Sequence, residues 1–501
     1  MGLTYEELRE GFRWELPARL NLGVEVCERH PREADAILVT DGREVTRRVT
    51  FGELSDNSNR LANVLRARGI GEGDRVGIAL PQRPETAVAH IAIYKLGAIV
   101  VPLSTRFGPD AMAVRLDDAE PAVVLADREL EGIETIDVDS ELPGLLSAAS
   151  DRFEPVVTGP DTPALIIYTS GTTGAPKGAL HGHRILAGNL PGFELSHDFF
   201  PQPDDVIWSP ADWAWMGGLF DVLMPALHHG RPVVAFQTTK FDPERAYDLI
   251  ERMGVRNVFM PATALRLMAA ADGSKLALRT VASGGEMVGE ETSAWCEERL
   301  GARLNEFYGQ TEANLLLGNC AAWPAKPGSM GRAYPGHDVQ LVDGEITVGV
   351  EDDPVAFLGY WRNPEATAEK VRDGRLHTGD LAEFDGEGYF RFVGRTDDLI
   401  TSAGHRIGPG EIEDCLVRHP SVSLAAVIGI PDEIRGEAIK AFVVASSPSD
   451  ALAAELKALV RERLAAYEVP REIEFVDELP LTTSGKIRRN ELRRRQPPQN
   501  G

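Results

Sequence analysis

VGIALPQRPETAVAHIAIYKLGAIVVPL, residues Val76–Leu103, reads as strand, helix, strand. Val76–Leu80 is short, apolar and β-rich. Pro81–Pro84 breaks it, and Glu85–Leu96 has helical composition. A Gly-Ala turn then opens a second apolar run, Ile99–Leu103. The same alternation continues outward. Asp110–Ala119 reads as a helix, Ala122–Ala126 and Val233–Phe236 as strands. Asn257–Met260 is a strand ended by Pro261, with a helix over Ala262–Ala271. Strands alternating with helices predict α/β layers with largely parallel sheets.

Beyond about Arg395 the pattern changes. A helix near Glu411–Arg418, strands at Leu424–Ile428 and Ala441–Ala445, and a helix at Asp450–Leu464 predict a small α+β block of about 100 residues, within the usual domain range. The expected organisation is a large domain of layered α/β sheets over 1–395 and a small domain over 396–501. Ser446–Asp450 reads as a polar loop inside the small domain, and Arg493–Gly501 as a frayed tail.

The chain has 501 residues, enough for two or more structural units, and 43% of them are hydrophobic, enough for a large core. Its net charge of −25 argues against a nucleic-acid binder and against docking on an anionic membrane. Arg outnumbers Lys, which fits either a salty cytoplasm or a GC-rich genome. Cys27, Cys296, Cys320 and Cys415 are scattered without metal-ligand spacing and read as free thiols of a reducing compartment. Met1–Arg19 lacks the apolar run of a signal peptide, and no stretch reaches the ~18–20 apolar residues of a membrane-spanning helix. A cytoplasmic protein without integral membrane association is expected. A homo-oligomer is left open.

Five stretches carry candidate chemistry. Tyr168–Gly178, YTSGTTGAPKG, has small residues that let backbone N–H groups approach an anion, hydroxyls that can donate, and one Lys. It is not a P-loop, because Lys177 precedes Gly178 instead of following a Gly and preceding Ser/Thr. Alone it is equally a flexible linker. Asn305–Glu312, NEFYGQTE, puts a carboxylate beside a hydroxyl, a pairing suited to Mg²⁺; Glu312 alone is also a plain surface acid. Upstream, Gly284-Gly285-Glu286 alone is a turn. His377–Asp380 followed by Tyr389–Arg395 offers an Asp and an Arg for ribose hydroxyls, or a hairpin with an ion pair. Asp397–Ile400 with Ala403–Ile407 is a charged loop before a helix. Thr483–Arg489 holds a lone Lys486 in a Ser-Gly turn, inert unless that turn reaches a site.

In their order and spacing these five stretches resemble the adenylate-forming superfamily of acyl-CoA synthetases, adenylation domains and luciferases. The resemblance runs from about Phe51 to Leu492 and is strongest to medium-chain and acetyl-CoA-synthetase-type members. It implies a small domain that moves about a hinge at Asp397. It implies that Thr169, Ser170, Gly171, Thr172, Thr173, Gly174 and Lys177 contact ATP phosphates. Gly285, Glu286 and Met287 would lie along adenine, although Pro is commoner than Met at the last position. Glu306, Phe307, Tyr308, Gly309 and Gln310 would line the adenine and acyl sites, with Thr311 near the α-phosphate and Glu312 on Mg²⁺. Asp380 would hold the ribose, with Arg395 beside it. Arg406 would contact phosphate, Gly404 would border the pantetheine channel, and Lys486 would bridge carboxylate and ATP.

The implied reaction has two steps. A carboxylate attacks the α-phosphorus of ATP, giving acyl-AMP and pyrophosphate; the thiol of CoA then displaces AMP. Two anions meet in the first step, so Mg²⁺, Lys177, Lys486, Arg406 and backbone N–H groups must supply local positive charge. Lys486 would serve the first step and the Ala403–Arg406 face the second. Acetate-selective relatives carry Trp where this chain has Gly309, so a medium-chain, branched or aromatic acid is expected, with Trp213 and Trp215 as pocket residues or core aromatics. Two other readings stay open: a free-standing enzyme that loads a separate carrier protein, and a non-catalytic nucleotide-binding regulator.

Overall fold

The computed structural model describes residues 3–169, 176–238, 240–271, 273–326, 328–396, 398–402, 405–432, 435–482 and 486–495; of Arg406 it describes the backbone. The chain divides into two compact units. The larger comprises the chain up to Thr169 with Pro176–Val339 and Gly349–Leu376, and the smaller includes Gln340–Val348 and the chain from His377 onward. The expected junction at 395/396 therefore falls inside the smaller unit, because the hairpin that carries Asp380 and Arg395 is built into it.

Two sheets form the larger unit. In one, Ile99–Pro102, Arg75–Ala79, Val123–Ala126 and Thr135–Asp137 run parallel, and the other end closes with Pro163–Tyr168, Gly178–Gly182 and Gly359–Tyr360. The helix Pro84–Lys95 between the first two strands starts on a Pro and is apolar nearly all round. Such a helix must be buried. Gly23 lets the short helix Leu22–Cys27 cross it closely, since a Cβ there would lie 2.6 Å from the Ile91 carbonyl oxygen. Lys95 is fully buried at its end and is neutralised by Glu28, with Ser58 and Asn59 accepting from it.

The other sheet has nine strands. Asn257–Phe259, Thr280–Gly284 and Leu304–Gln310 run parallel at its centre, and Ala313–Gly318 returns antiparallel beside them. Helices Pro243–Arg252 and Ala262–Ala270 cover it through Leu249, Ile250, Leu265 and Met268.

In the smaller unit, Arg375–Phe384 and Phe390–Arg395 form a hairpin, one of the two readings open for His377–Arg395 from sequence. A second sheet pairs Val422–Asp432 with Gly436–Ala445 and adds Glu472–Phe475 in parallel. Helices Pro409–Val417 and Asp450–Arg463 bury Ile412, Leu416, Leu452, Leu456 and Val460 against it. Ser449 caps the second helix, its hydroxyl accepting from the Leu452 N–H at 3.1 Å.

Candidate functional site

The glycine-threonine loop is the connection of a hairpin. Pro163–Tyr168 and Gly178–Gly182 pair antiparallel with Tyr168 opposite Gly178. One rung further, the Thr169 N–H donates to the Lys177 carbonyl at 2.9 Å. The loop is thus closed at its base by a backbone hydrogen bond. Ser170, Gly171, Thr172, Thr173 and Gly174 lie outside the described residues. Below the base, Tyr168 donates its hydroxyl to Asp118 at 2.6 Å, which anchors the strand end.

Gly359–Tyr360 adds to the free edge of this hairpin, and the Leu358 and Trp361 N–H groups donate to Leu180 and Gly178 at 2.7 Å each. This edge strand carries Tyr360 to the loop base. The Lys177 ammonium lies 5.2 Å from the centre of the Tyr360 ring. The Tyr360 hydroxyl donates to the Glu312 carboxylate, which is 7% exposed. From the same hairpin, His181 donates its Nε2–H to the Thr311 carbonyl at 2.8 Å. Burial pushes the imidazole down to about 4, so it is neutral at physiological pH and its Nδ1 is a bare acceptor. Lys177 is therefore brought together with Thr311 and Glu312, which lie far from it in sequence. Tyr360 and His181, which join them, belong to no stretch singled out from sequence.

A single nearly buried carboxylate held by a tyrosine suits Mg²⁺, which keeps waters and substrate phosphate oxygens and asks for only one or two carboxylates. Among the described residues no group of three or more His, Cys, Asp or Glu gathers as a metal cage.

The turn after Thr280–Gly284 carries Gly285, Glu286 and Met287. Glu306 shapes it, its carboxylate accepting from the Val288 N–H at 2.9 Å. Arg266 donates to the Met287 carbonyl at 2.7 Å and lies 3.8 Å from Glu286. Gly285 has φ 87°, a left-handed conformation that favours glycine. Phe307 lies against Gly284, and its ring stacks on Phe259 at 5.5 Å. Lys370 donates to Gln310 at 3.1 Å, and Tyr308 is buried.

Gly309 has a structural reason of its own. A Cβ there would stand 2.4 Å from the Leu315 backbone nitrogen, because the Leu304–Gln310 and Ala313–Gly318 strands slip register between Tyr308 and Gln310. Trp213 is 1% exposed and packs as a core residue, whereas Trp215 stays partly exposed and meets Phe107 edge-on at 5.6 Å.

In the smaller unit, Asp380 and Arg395 face each other across the hairpin, with Arg395 Nη1 3.3 Å from Asp380 Oδ1. Asp380 is 5% exposed. Asp397, Ala403 and Gly404 lie outside the described residues, and Arg406 sits on the short strand His405–Ile407. Lys486 is exposed. Its N–H donates to the Thr482 hydroxyl at 3.0 Å, and its carbonyl accepts from the Thr482 N–H at 2.7 Å. Next to it, Arg489 pairs with Glu413 at 2.6 Å and with Asp398 at 3.3 Å, and Arg493 reaches Asp398 at 3.0 Å. These ion pairs tie the helix after Lys486 to the residue after Asp397. Burial pushes the Glu413 carboxyl up to about 6, against the pull of Arg489.

Two family models match: AMP-binding enzyme over residues 24–354 and AMP-binding enzyme C-terminal domain over residues 411–486. The chain is 34% identical to an acetyl-coenzyme A synthetase of Bacillus subtilis, over 98% of this chain and 94% of that one. It is 31% identical to a mitochondrial acyl-coenzyme A synthetase, ACSM3, of Rattus norvegicus, over 98% of this chain and 93% of that one. A crystal structure of the anthranilate CoA ligase AuaEII in complex with anthranoyl-AMP superposes with a TM-score of 0.86 at 27% identity, covering 96% of this chain and 98% of that one. Such CoA ligases use ATP, Mg²⁺ and CoA. Among the described residues no helix is long and apolar enough to cross a membrane. With both family models matched, the chain belongs to the AMP-binding enzyme family.

Proposed function

We propose that this protein is an ATP-dependent carboxylic acid:CoA ligase of the cytoplasm, acting on an acid larger than acetate. The observation that carries the reading is the meeting of Lys177, Tyr360 and Glu312 at the closed base of the glycine-threonine loop. A cation, a clamped carboxylate and a loop of small residues make a place for a polyphosphate. When bound at Glu312, Mg²⁺ would neutralise charge on the phosphates. Tyr360 orients the carboxylate for it. Lys177 adds positive charge beside it, and His181 holds the Thr311 backbone in position. Glu306 shapes the turn proposed to receive adenine.

Asp380, with Arg395 beside it, is the proposed ribose partner. Lys486 is the proposed electrostatic donor of the adenylation step, exposed at the end of a small hairpin turn. The second step needs only a thiolate attack on the mixed anhydride, with AMP as leaving group. The preference for an acid larger than acetate rests on the resemblance at Gly309, where acetate-selective relatives carry Trp; the close Leu315 backbone gives that glycine a packing reason as well. Four unpaired, buried cysteines support a reducing compartment.

Product analysis tests the reading. With ATP, Mg²⁺, CoA and a panel of medium-chain, branched and aromatic acids, mass spectrometry should find acyl-CoA and AMP in equal amounts. ADP in place of AMP would refute adenylation.

A further inference from the structure

The turn that carries Lys486 is held by two sets of short-range contacts. Its backbone closes rung by rung. The Thr482 N–H donates to the Lys486 carbonyl at 2.7 Å, Leu481 bridges to Ile487, and the Arg488 N–H donates to the Pro480 carbonyl at 2.8 Å. On either side of the turn, Leu479 and Leu492 are buried against Ile428 and Phe442, with Ile487 packed beside them. Apolar burial is non-directional, so it seats the turn on the sheet without fixing its angle.

Directional contacts come from Arg489, three residues beyond Lys486. Its guanidinium forks onto Glu413, with Nη2 donating to Oε2 at 2.6 Å and Nε to Oε1 at 3.3 Å. Nη1 reaches Asp398 Oδ2 at 3.3 Å, and Arg493 donates to Asp398 Oδ1 at 3.0 Å. Asp398 is 5% exposed, and Glu413 also accepts from the Val427 N–H at 2.7 Å. Two arginines thus balance two carboxylates. A largely buried ion-pair cluster adds little net stability over apolar packing. It does fix geometry, because a planar fork binds a carboxylate in one orientation.

The two ends of this cluster are the two places that matter to adenylation. Asp398 follows Asp397, the hinge that the family resemblance implies. Arg489 opens the helix Arg489–Arg494 directly behind the Lys486 turn. Lys486 serves the first step only, so its ammonium must arrive at the reacting carboxylate by a turn about that hinge. A misplacement of about 1 Å can cost roughly 10²-fold. A lysine on an exposed turn meets that tolerance when the turn and the hinge move as one body.

We propose that Asp398 and Arg489 form a strut from the hinge to the Lys486 turn. They are positioning residues for adenylation that act through Lys486 and do not touch substrate. This rests on the ligase reading and on the role proposed for Lys486 above. The second step depends on the face that includes Arg406, whose strands Ile400–Ser402 and His405–Ile407 are paired through their backbones and need no such strut.

The test is a double-mutant cycle on the full chain with wild type, Asp398→Ala, Lys486→Ala and the double variant. Asp398→Ala leaves the Arg489–Glu413 fork intact. Each protein is assayed for acid-dependent ATP–pyrophosphate exchange and for thioester formation from supplied acyl-AMP and CoA. Asp398→Ala should lower kcat for exchange by about 10–100-fold. Thioester formation should stay within about threefold of wild type. On the Lys486→Ala background, Asp398→Ala should cost less than about threefold more, since no ammonium is left to place. If Asp398→Ala does not fold, Asp398→Asn, which keeps the shape and removes the charge, replaces it with the same pattern expected. A folded variant with undiminished exchange overturns the proposal. So do equal losses in both half-reactions, or a loss as large on the Lys486→Ala background as on wild type, the marks of a residue that only holds the fold. Lys486→Ala with undiminished exchange overturns the role of Lys486 and the strut with it, and exchange with no acid in the wild type overturns the ligase reading itself.

Discussion

Tyr360→Phe removes one oxygen and nothing else. The ring stays, and with it the Lys177 contact at 5.2 Å. What disappears is the donor to Glu312, whose side chain is almost fully buried and has little water to replace it. A hydrogen bond to a charged group contributes about 1.5–3 kcal/mol, which at ~1.4 kcal/mol per decade is roughly 10–150-fold. Loss of a partner that orients a metal-binding carboxylate costs about 10–100-fold in metal affinity or activity, a range that agrees. The assay is ATP–pyrophosphate exchange against free Mg²⁺, at saturating ATP and acid. The Mg²⁺ midpoint should rise by about 10–100-fold, with the plateau largely recovered at high Mg²⁺. Coincident midpoints, or an equal loss at every Mg²⁺ concentration, would refute the placement of Tyr360 behind a metal-binding Glu312.

Three further outcomes are expected. Lys486→Ala should slow adenylation by on the order of 10²–10³, as for loss of one electrostatic donor, while thioester formation from supplied acyl-AMP stays near normal; equal losses in both half-reactions would remove Lys486 from its role. Gly309→Ala puts a methyl 2.4 Å from the Leu315 nitrogen and should destabilise the protein by about 1–3 kcal/mol in a denaturant titration, with an unchanged midpoint as the contrary result. Burial pushes the Asp221 carboxyl up to about 8, against the hydrogen bonds of Asn314 and Asn189, so its contribution to stability is greatest at low pH and declines as pH rises toward 8. Asp221→Asn should therefore gain on the wild type by roughly 1.4 kcal/mol per pH unit between its unfolded pKa and 8, levelling above. Parallel stability curves for the two proteins would contradict the burial argument.

Much of the fold is legible in the chain. Val76–Leu103 shows its strand, helix and strand within a residue or so of the observed Arg75–Ala79, Pro84–Lys95 and Ile99–Pro102, because Pro and Gly punctuate each change. The small unit's helices are similarly marked by Pro409 and Ser449. The hairpin of Asp380 and Arg395 is legible as a possibility, but its strand limits are not, because Arg375–Phe384 mixes Arg, His, Asp and Glu with few apolar residues.

At the site, the residues that lie in recognisable stretches are legible and their supports are not. Tyr360 is 48 residues from Glu312, and only the pairing of Gly359–Tyr360 with the loop hairpin brings them together. Gly309 reads as an absent side chain in a pocket, whereas the close approach of Leu315 that demands it is set by a register slip between strands.

The central claim is that this chain joins a carboxylate to AMP and passes it to CoA. Acid-dependent ATP–pyrophosphate exchange, followed by AMP release on adding CoA, tests it most directly. The account predicts exchange with at least one acid larger than acetate and AMP formed in step with acyl-CoA. Exchange with no acid would contradict it, and so would exchange that CoA does not convert into AMP release, the behaviour of an enzyme that loads a carrier protein.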